Sequence, residues 1–594
     1  MRGYLRDVRP TVAIVGAALL AAACDTGRQS LLFTALTAWA ILGLLLIVGM
    51  RPATAVMAVA GRSIDLSLLA LLALGALSAF WWTADPGGSD LGLIKLGSVV
   101  VLALALPRLL RSPADYRPLL LWIALLAGNV ALYGFVQLAM GWNVMGGRLH
   151  SVFLTPNSLA GFLAATLPLT VGLGLTARAP VMRSGAILLA ALQAAALLAT
   201  ASRGGWLAAA IGFMAFVLMA GRRGIARWRA IVLPAAMGVV LVIAVIAAID
   251  RFDPSLIRPR LASMSHLLTA EPQRYLVWQS TVDMIAERPI AGWGLGAFAV
   301  AYLPFKSPSF EGVTQYYAHN DYLQIGAELG LAGLALFGWL LGAAASTALG
   351  ALRRSGERAR EGSSDEHVIV AAVIGGGSAV LLHSLVDFDL YVPVIMLTLA
   401  VYLGYLRAWF PSAAPASADS SDSPLTHSLA RSFAWTVCCV VVALLVGRIY
   451  LASRADVAGQ QLMQEGRYEE AASHFTGAIR WNPYPAAYYG NLGFAYEHWA
   501  NQARRQDLLL KAEAAFRAAT EAGPYDYRPF LNLGKFYKNY AKFSNIFNDF
   551  DPWSAYRRAA ELHPTRPSIR QELEALEVSR PEEQKPLENT SLSA

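Results

Sequence analysis

The chain has 594 residues, 56% of them hydrophobic and only 15% charged, with a mean hydropathy of +0.46. Soluble domains carry roughly 25% charged residues, so a wholly soluble protein is excluded. The net charge of +8 rests largely on arginines clustered between apolar runs, a membrane pattern rather than a nucleic-acid patch.

At the N-terminus, the basic leader MRGYLRDVRP precedes the apolar run TVAIVGAALLAAAC. A lipoprotein signal ending at Cys24 would look similar. A further apolar run begins within six residues of Cys24, so the first span reading is preferred, and in either case the chain crosses outward. The other cysteines, Cys438 and Cys439, also lie in an apolar run, and no cysteine spacing fits a metal site or a disulfide framework.

A helical span needs about 20 mostly apolar residues. That length predicts roughly thirteen, near 11–24, 31–50, 64–82, 91–107, 118–140, 158–177, 185–201, 205–220, 230–249, 321–348, 368–384, 391–408 and 432–451. The pair at 185–220 reads as a tight hairpin turning around Ser202–Gly205. With the N-terminus inside, twenty arginines fall in cytoplasmic segments: Arg2/Arg6/Arg9, Arg51/Arg62, Arg108/Arg111/Arg117, Arg178/Arg183, Arg222/Arg223/Arg227/Arg229, Arg353/Arg354/Arg358/Arg360 and Arg407/Arg431. The opposite short loops hold only Arg28, Arg148 and Arg203. The positive-inside rule therefore predicts a cytoplasmic N-terminus and an external C-terminus, in a bacterial inner membrane.

Residues 1–410 read as one polytopic membrane domain with a long external loop at 251–319. Within that loop Tyr275, Trp278, Val282 and Ile285 fall at helical spacing. Arg288-Pro289 ends the helix, and Gly292, Gly294 and Gly296 follow in a turn-rich stretch. Loops of this length inside a compact bundle are usually functional. Residues 411–428 are a Ser/Pro/Ala linker on the cytoplasmic side, 429–452 the last span, and 581–594 a disordered tail. Between them, 453–580 repeats: Pro483, Pro524 and Pro564 recur at spacings of 41 and 40 residues, with AAYYGNLGFAY and YRPFLNLGKFYKNY supplying helix-packing positions. This resembles tetratricopeptide repeats with short insertions, helix pairs that usually offer a surface to a protein partner. The predicted class is all-α, a polytopic helical bundle followed by repeat helices.

Five external segments carry polar residues that a lipid-facing helix tolerates poorly. GGRLHSVFLTPNSLAGF places Arg148 and His150 before a span, and TASRGGWLA places Arg203 between two apolar runs. RYLVWQSTVDMIAERPIAGWGLGAF starts the loop helix with Arg274, HNDYLQIGAELGLAGL puts His319 and Asn320 at the start of a span, and HSLVDFDLYVP adds His383, Asp387 and Asp389. Each has a plain structural reading. Arg148 can snorkel, Arg274 can be a surface ion-pair residue, His319 can start a helix, and His383 with Asp387 reads as a hydrogen-bonded pair at a turn.

Taken in order along roughly residues 30–410, these segments resemble the O-antigen ligase and O-antigen polymerase family of bacterial envelopes. One block of that family often reads Asn-Pro-Asn where this chain has Thr155-Pro156-Asn157. The resemblance implies a metal-independent glycosyltransferase of the C-class membrane fold that needs no cofactor. Its donor would be a glycan on undecaprenyl diphosphate at the periplasmic face, and its acceptor lipid A-core, another lipid-linked glycan or a protein. It further implies His319 as general base, Arg148, Arg203 and Arg274 as diphosphate ligands, and Asn320, His383 and Asp387 as possible support.

Elementary chemistry agrees with that expectation. A lipid diphosphate is already an activated leaving group, so the protein must stabilise departing charge, which guanidinium forks do well. It must also take a proton from an acceptor hydroxyl, which suits a histidine. No carboxylate cluster in these loops fits a divalent metal. Two other readings fit the sequence less well. A transporter should show inverted repeats and broken or polar helices at midplane, whereas these spans are apolar at their centres. A scaffold built on the repeats needs one anchoring span, not thirteen.

Overall fold

The structure is a computed structural model that describes residues 2–24, 31–49, 62–142, 148–227, 251, 272–310, 315–361, 365–410, 425–547 and 550–578. The predicted span at 230–249, loop residues 252–271 and 311–314, linker residues 411–424 and the tail 581–594 lie outside the described residues. Among the described residues the regular elements are helices, with no β-strand. The chain is a multi-pass, all-α membrane protein.

Through the membrane region the helices are α1 (Arg2–Cys24), α2 (Leu31–Gly49), α3 (Arg62–Trp81), α4 (Pro86–Leu109), α5 (Pro113–Met140), α6 (Pro156–Thr176), α7 (Pro180–Ala199) and α8 (Arg203–Arg227). After these come α9 (Pro272–Glu287), the short α10 (Phe298–Ala301), α11 (Asp321–Arg360), α12 (Asp365–His383), α13 (Pro393–Arg407) and α14 (Leu425–Gln464). Among the described residues, eight helices are long and apolar enough to cross a membrane: α3 to α7, α11, α12, and α8 over Arg203–Gly221. Shorter apolar stretches lie in α1, α2 and α13, and the predicted span at 432–451 falls within α14. The turn between α7 and α8 falls at residues 200–202, where the sequence places a hairpin.

The chain divides into two compact units. The first comprises residues 1–77, 92–275 and 317–447. Its centre is α6, almost wholly buried, which packs against α7, α8 and α12. Small residues permit that approach. A Cβ on Gly376 of α12 would come within 2.1 Å of the Ala165 carbonyl of α6, and one on Gly212 of α8 within 2.5 Å of the Gly375 carbonyl. Apolar side chains gain little by leaving lipid for protein, so close backbone packing is what holds such helices together. Buried Arg407 on α13 meets Asp65 Oδ1 at 2.8 Å, and the other oxygen of that carboxylate accepts from Arg108 at 3.0 Å. One carboxylate thereby ties α3, α4 and α13.

The second unit comprises residues 78–91, 276–316 and 448–594. Its repeat helices are α15 (Tyr468–Trp481), α16 (Ala486–Ala503), α17 (Asp507–Ala522), α18 (Tyr527–Asn539), α19 (Pro552–Leu562) and α20 (Pro567–Val578), each packed on the next. The repetition is physical. Phe475, Phe516 and Tyr556 are all buried, and each ring presses on a glycine of the preceding helix: Gly459, Gly493 and Gly534. A Cβ at any of these glycines would lie 2.6–2.8 Å from the ring.

Candidate active site

Within the first unit, Arg274, the starts of α6, α8 and α11 and the turn after α12 come together. Thr155 caps α6, its hydroxyl accepting from Ser158 N at 3.1 Å, with Pro156 at the first helical position. Asn320 caps α11 in the same way, its Oδ1 accepting from Leu323 N at 3.1 Å. These caps fix where each span begins, and hence where the residue before it stands.

Three left-handed non-glycine residues mark this end: Ser151 (φ 57°), Ala201 (φ 50°) and His319 (φ 51°). Such backbone costs about 1–3 kcal/mol per residue and is concentrated at functional sites. The backbone strain, the helix starts and the polar residues coincide here.

Arg148 is bound into the fold. Its Nε donates to Thr200 O at 2.8 Å, and its Nη2 donates to Asn157 Oδ1 at 2.8 Å and to Ala201 O at 3.4 Å. It therefore joins the start of α6 to the α7–α8 turn. His150 is buried, its Nδ1 2.8 Å from Phe153 O. Arg203 opens α8 beside that turn. The adjoining Gly204 lies under His383, since a Cβ there would be 3.3 Å from the ring Cδ2.

His383, at the end of α12, is buried and pairs with Asp389, Nδ1 to Oδ2 at 2.7 Å. This corrects the expected His383–Asp387 pair. Residues 384–391 leave the helix in a turn and a short 3-10 segment, so the two aspartates point to different partners. Asp389 sits over α6 because Gly161 there has no side chain; a Cβ would fall 2.2 Å from its Oδ1. Burial pushes the Asp389 carboxyl up from the ordinary range, against the lowering effect of His383.

Asp387 is 1% exposed and faces the two predicted residues of most interest. Its Oδ1 lies 3.6 Å from His319 Nδ1, and its Oδ2 lies 3.3 Å from Arg274 Nη2. Arg274 Nη1 also donates to Val386 O. Burial would raise the Asp387 carboxyl, but the facing His319 and the Arg274 guanidinium outweigh it and hold the group well below the usual carboxylate range. His319 and Arg274 are each about a quarter exposed, at 26% and 23%. Both reach solvent while leaning on a buried anion.

The aromatic setting is equally defined. Phe388 meets the His319 ring edge-on at 5.2 Å and stacks on Tyr317 at 4.3 Å. Asp321 ties the start of α11 to the same turn, its N donating to Ser384 O and its Oδ2 accepting from Leu390 N, both at 2.9 Å. Further in, Tyr391 donates to Glu328 Oε2 at 3.1 Å, and Gln324 donates to Glu328 Oε1 at 3.1 Å. Sequence reasoning did not single out Asp321, Gln324 or Glu328. The signal was a run of polar residues at helical spacing entering an apolar span, just before the break at Gly330 (φ 66°).

Residues 188–338 match the family model described as O-antigen ligase. This stretch is similar to O-antigen ligases. It holds Arg203, Arg274, His319 and Asn320, while Arg148, His383, Asp387 and Asp389 lie outside it. No curated protein matches the chain. The match supports a glycan-transferring membrane enzyme in general terms. Among the described residues, no three His, Cys, Asp or Glu side chains are grouped to hold a metal ion.

A carboxylate against His Nδ1 favours the tautomer with its proton there, leaving Nε2 as the acceptor. The 3.6 Å separation exceeds a formed hydrogen bond, and such contacts commonly tighten when substrate binds. The arrangement is a histidine and a guanidinium on one buried carboxylate.

Proposed function

We propose that this protein transfers a glycan from undecaprenyl diphosphate to an acceptor hydroxyl at the periplasmic face of the inner membrane. The carrying observation is that His319 and Arg274, far apart in sequence, lean on the same buried Asp387. His319 takes the acceptor proton. The acceptor oxygen forms its bond to the anomeric carbon as the bond from that carbon to the diphosphate oxygen breaks. The electron pair leaves on the diphosphate, where Arg203 and Arg274 hold the developing charge. Arg274 spends two of its five donors on Val386 and Asp387, so its remaining N–H groups serve the substrate. Arg148 acts with them by fixing the α7–α8 turn. A single displacement inverts the anomeric configuration, and the leaving group supplies the driving force without ATP.

The acceptor, whether lipid A-core, a second lipid-linked glycan or a protein, is decided by assay. Purified protein in nanodiscs receives a synthetic undecaprenyl diphosphate glycan and each acceptor in turn. Transfer to lipid A-core marks a ligase and extension of the lipid-linked glycan a polymerase. No release of undecaprenyl diphosphate with any acceptor would reject the proposal.

A further inference from the structure

The three prolines that mark the repeats sit in equivalent turns, and each turn lies against a different stretch of the same unit. The α15–α16 turn meets the 78–91 segment: Asn482 Nδ2 donates to Asp90 Oδ2 at 3.1 Å, and Gly87 lies under Pro485, where a Cβ would be 3.3 Å away. In the α17–α18 turn, Tyr525 meets the loop after α9. Arg288 Nη2 donates to its hydroxyl at 2.9 Å, and Trp293 meets its ring edge-on at 5.9 Å. Arg288 also lies over the Trp293 ring at 3.9 Å. At the third turn, α19, which leads into it, packs beside the 303–305 turn, and the Lys306 charge acts on His563.

The external segments are themselves knitted together. Ala84 N donates to Trp293 O at 2.8 Å, Ser89 Oγ to Leu295 O at 2.6 Å, and Trp82 Nε1 to Ala291 O at 3.1 Å. Gly294 (φ 108°) and Gly296 (φ 76°) are required for this approach, since a Cβ on either would fall 2.5 Å from Thr83 or Gly88. Three successive repeat turns thus hold three successive points of one surface made by residues 82–90 and 288–306.

We propose that the repeat domain is an intramolecular brace whose turn edge holds this surface, and with it α9, whose first turn carries Arg274. Tyr525 and Arg288 are its central positioning residues. The consequence for transfer rests on the glycan-transferase reading; the bracing itself does not. A brace of this kind leaves the rest of the repeat surface to other partners and makes the repeats part of the machinery that orients a substrate ligand.

The test is hydrogen exchange and transfer on the full-length protein in nanodiscs, comparing wild type, Tyr525→Ala, Tyr525→Phe and the Tyr525→Ala/Arg288→Ala double variant. Loss of the charge-assisted hydrogen bond and ring contacts should speed amide exchange across α9 and residues 288–297 by about tenfold in Tyr525→Ala. Tyr525→Phe, which keeps the ring against Trp293, should fall between it and wild type. In the transfer assay Tyr525→Ala should raise KM for the lipid-linked donor several-fold, and adding Arg288→Ala should do little more. Unchanged exchange in α9 overturns the brace. Faster exchange with an unchanged donor KM overturns its positioning role. If wild type transfers nothing, the glycan-transferase reading fails, and exchange in α9 alone decides whether the repeats brace it.

Discussion

His383 Nδ1 lies 2.7 Å from Asp389 Oδ2, and that pairing leaves Asp387, two residues earlier, to His319 and Arg274. Two carboxylates on one short turn thereby serve separate ends. The inner one is sealed with His383 over Gly161, and the outer one faces the two groups that reach solvent.

Asp387→Asn keeps the size and removes the charge. Transfer should fall by about 10²–10⁴, as when the anion behind a catalytic histidine is neutralised. Stability should fall by only about 1–3 kcal/mol from the weakened contacts. Turnover and thermal unfolding of the same preparation separate the two, and wild-type turnover would remove Asp387 from the account.

The arginines should divide by what they already hold. Arg203→Lys and Arg274→Lys keep the charge but lose the planar fork. Each should cost roughly 10²–10³ in rate, the usual loss of a donor aimed at a leaving group. Arg148→Lys should act mainly on stability, because its guanidinium is engaged by Thr200, Ala201 and Asn157. Rates at saturating donor with chelator present provide the check; normal activity in all three variants rejects a diphosphate clamp.

His563 gives the repeat unit a pH dependence. Burial, then the Lys306 and Arg566 charges, push this histidine down to about 4, whereas an unfolded histidine titrates near 6.5. Between those values the unfolded chain binds the extra proton, so its contribution is full above pH ~6.5 and is lost as pH falls toward ~4. Exchange in residues 552–578 should therefore quicken from pH 7 to 4.5 (after correction for intrinsic rates), and His563→Gln should flatten the trend.

Topology follows from the arginine asymmetry. Reporter fusions after residues 353–367 should read cytoplasm, and fusions after 300 or 470 should read periplasm. The repeats and residues 276–316 share one compact unit, so the last two should agree with each other. A cytoplasmic signal from the repeats would remove one span from the predicted set.

The spans were legible because length and hydropathy are local properties, and α3 to α8 begin within about five residues of where periodicity and apolar runs place them. The repeats were legible in Pro483, Pro524 and Pro564 because each turn reuses one backbone solution. His319 stood out as a titratable group at a span start. What the sequence did not disclose was partnership. Asp387 and Asp389 sit on an irregular turn with no period to tell them apart, and one pairs within its own segment while the other takes partners from two others. Tyr525 was similarly silent, since its value depends on a loop more than two hundred residues upstream.

The most direct measurement is single-turnover transfer by purified His319→Asn and His319→Ala proteins, with lipid-linked donor, acceptor and chelator. Asparagine tolerates the left-handed backbone at φ 51° better than alanine, so it removes the base with less strain. Transfer should fall by at least about 10²–10⁴ in both variants, while thermal unfolding of the asparagine protein stays near wild type. Near wild-type turnover in His319→Asn would show that this histidine only starts a helix, and would contradict the account.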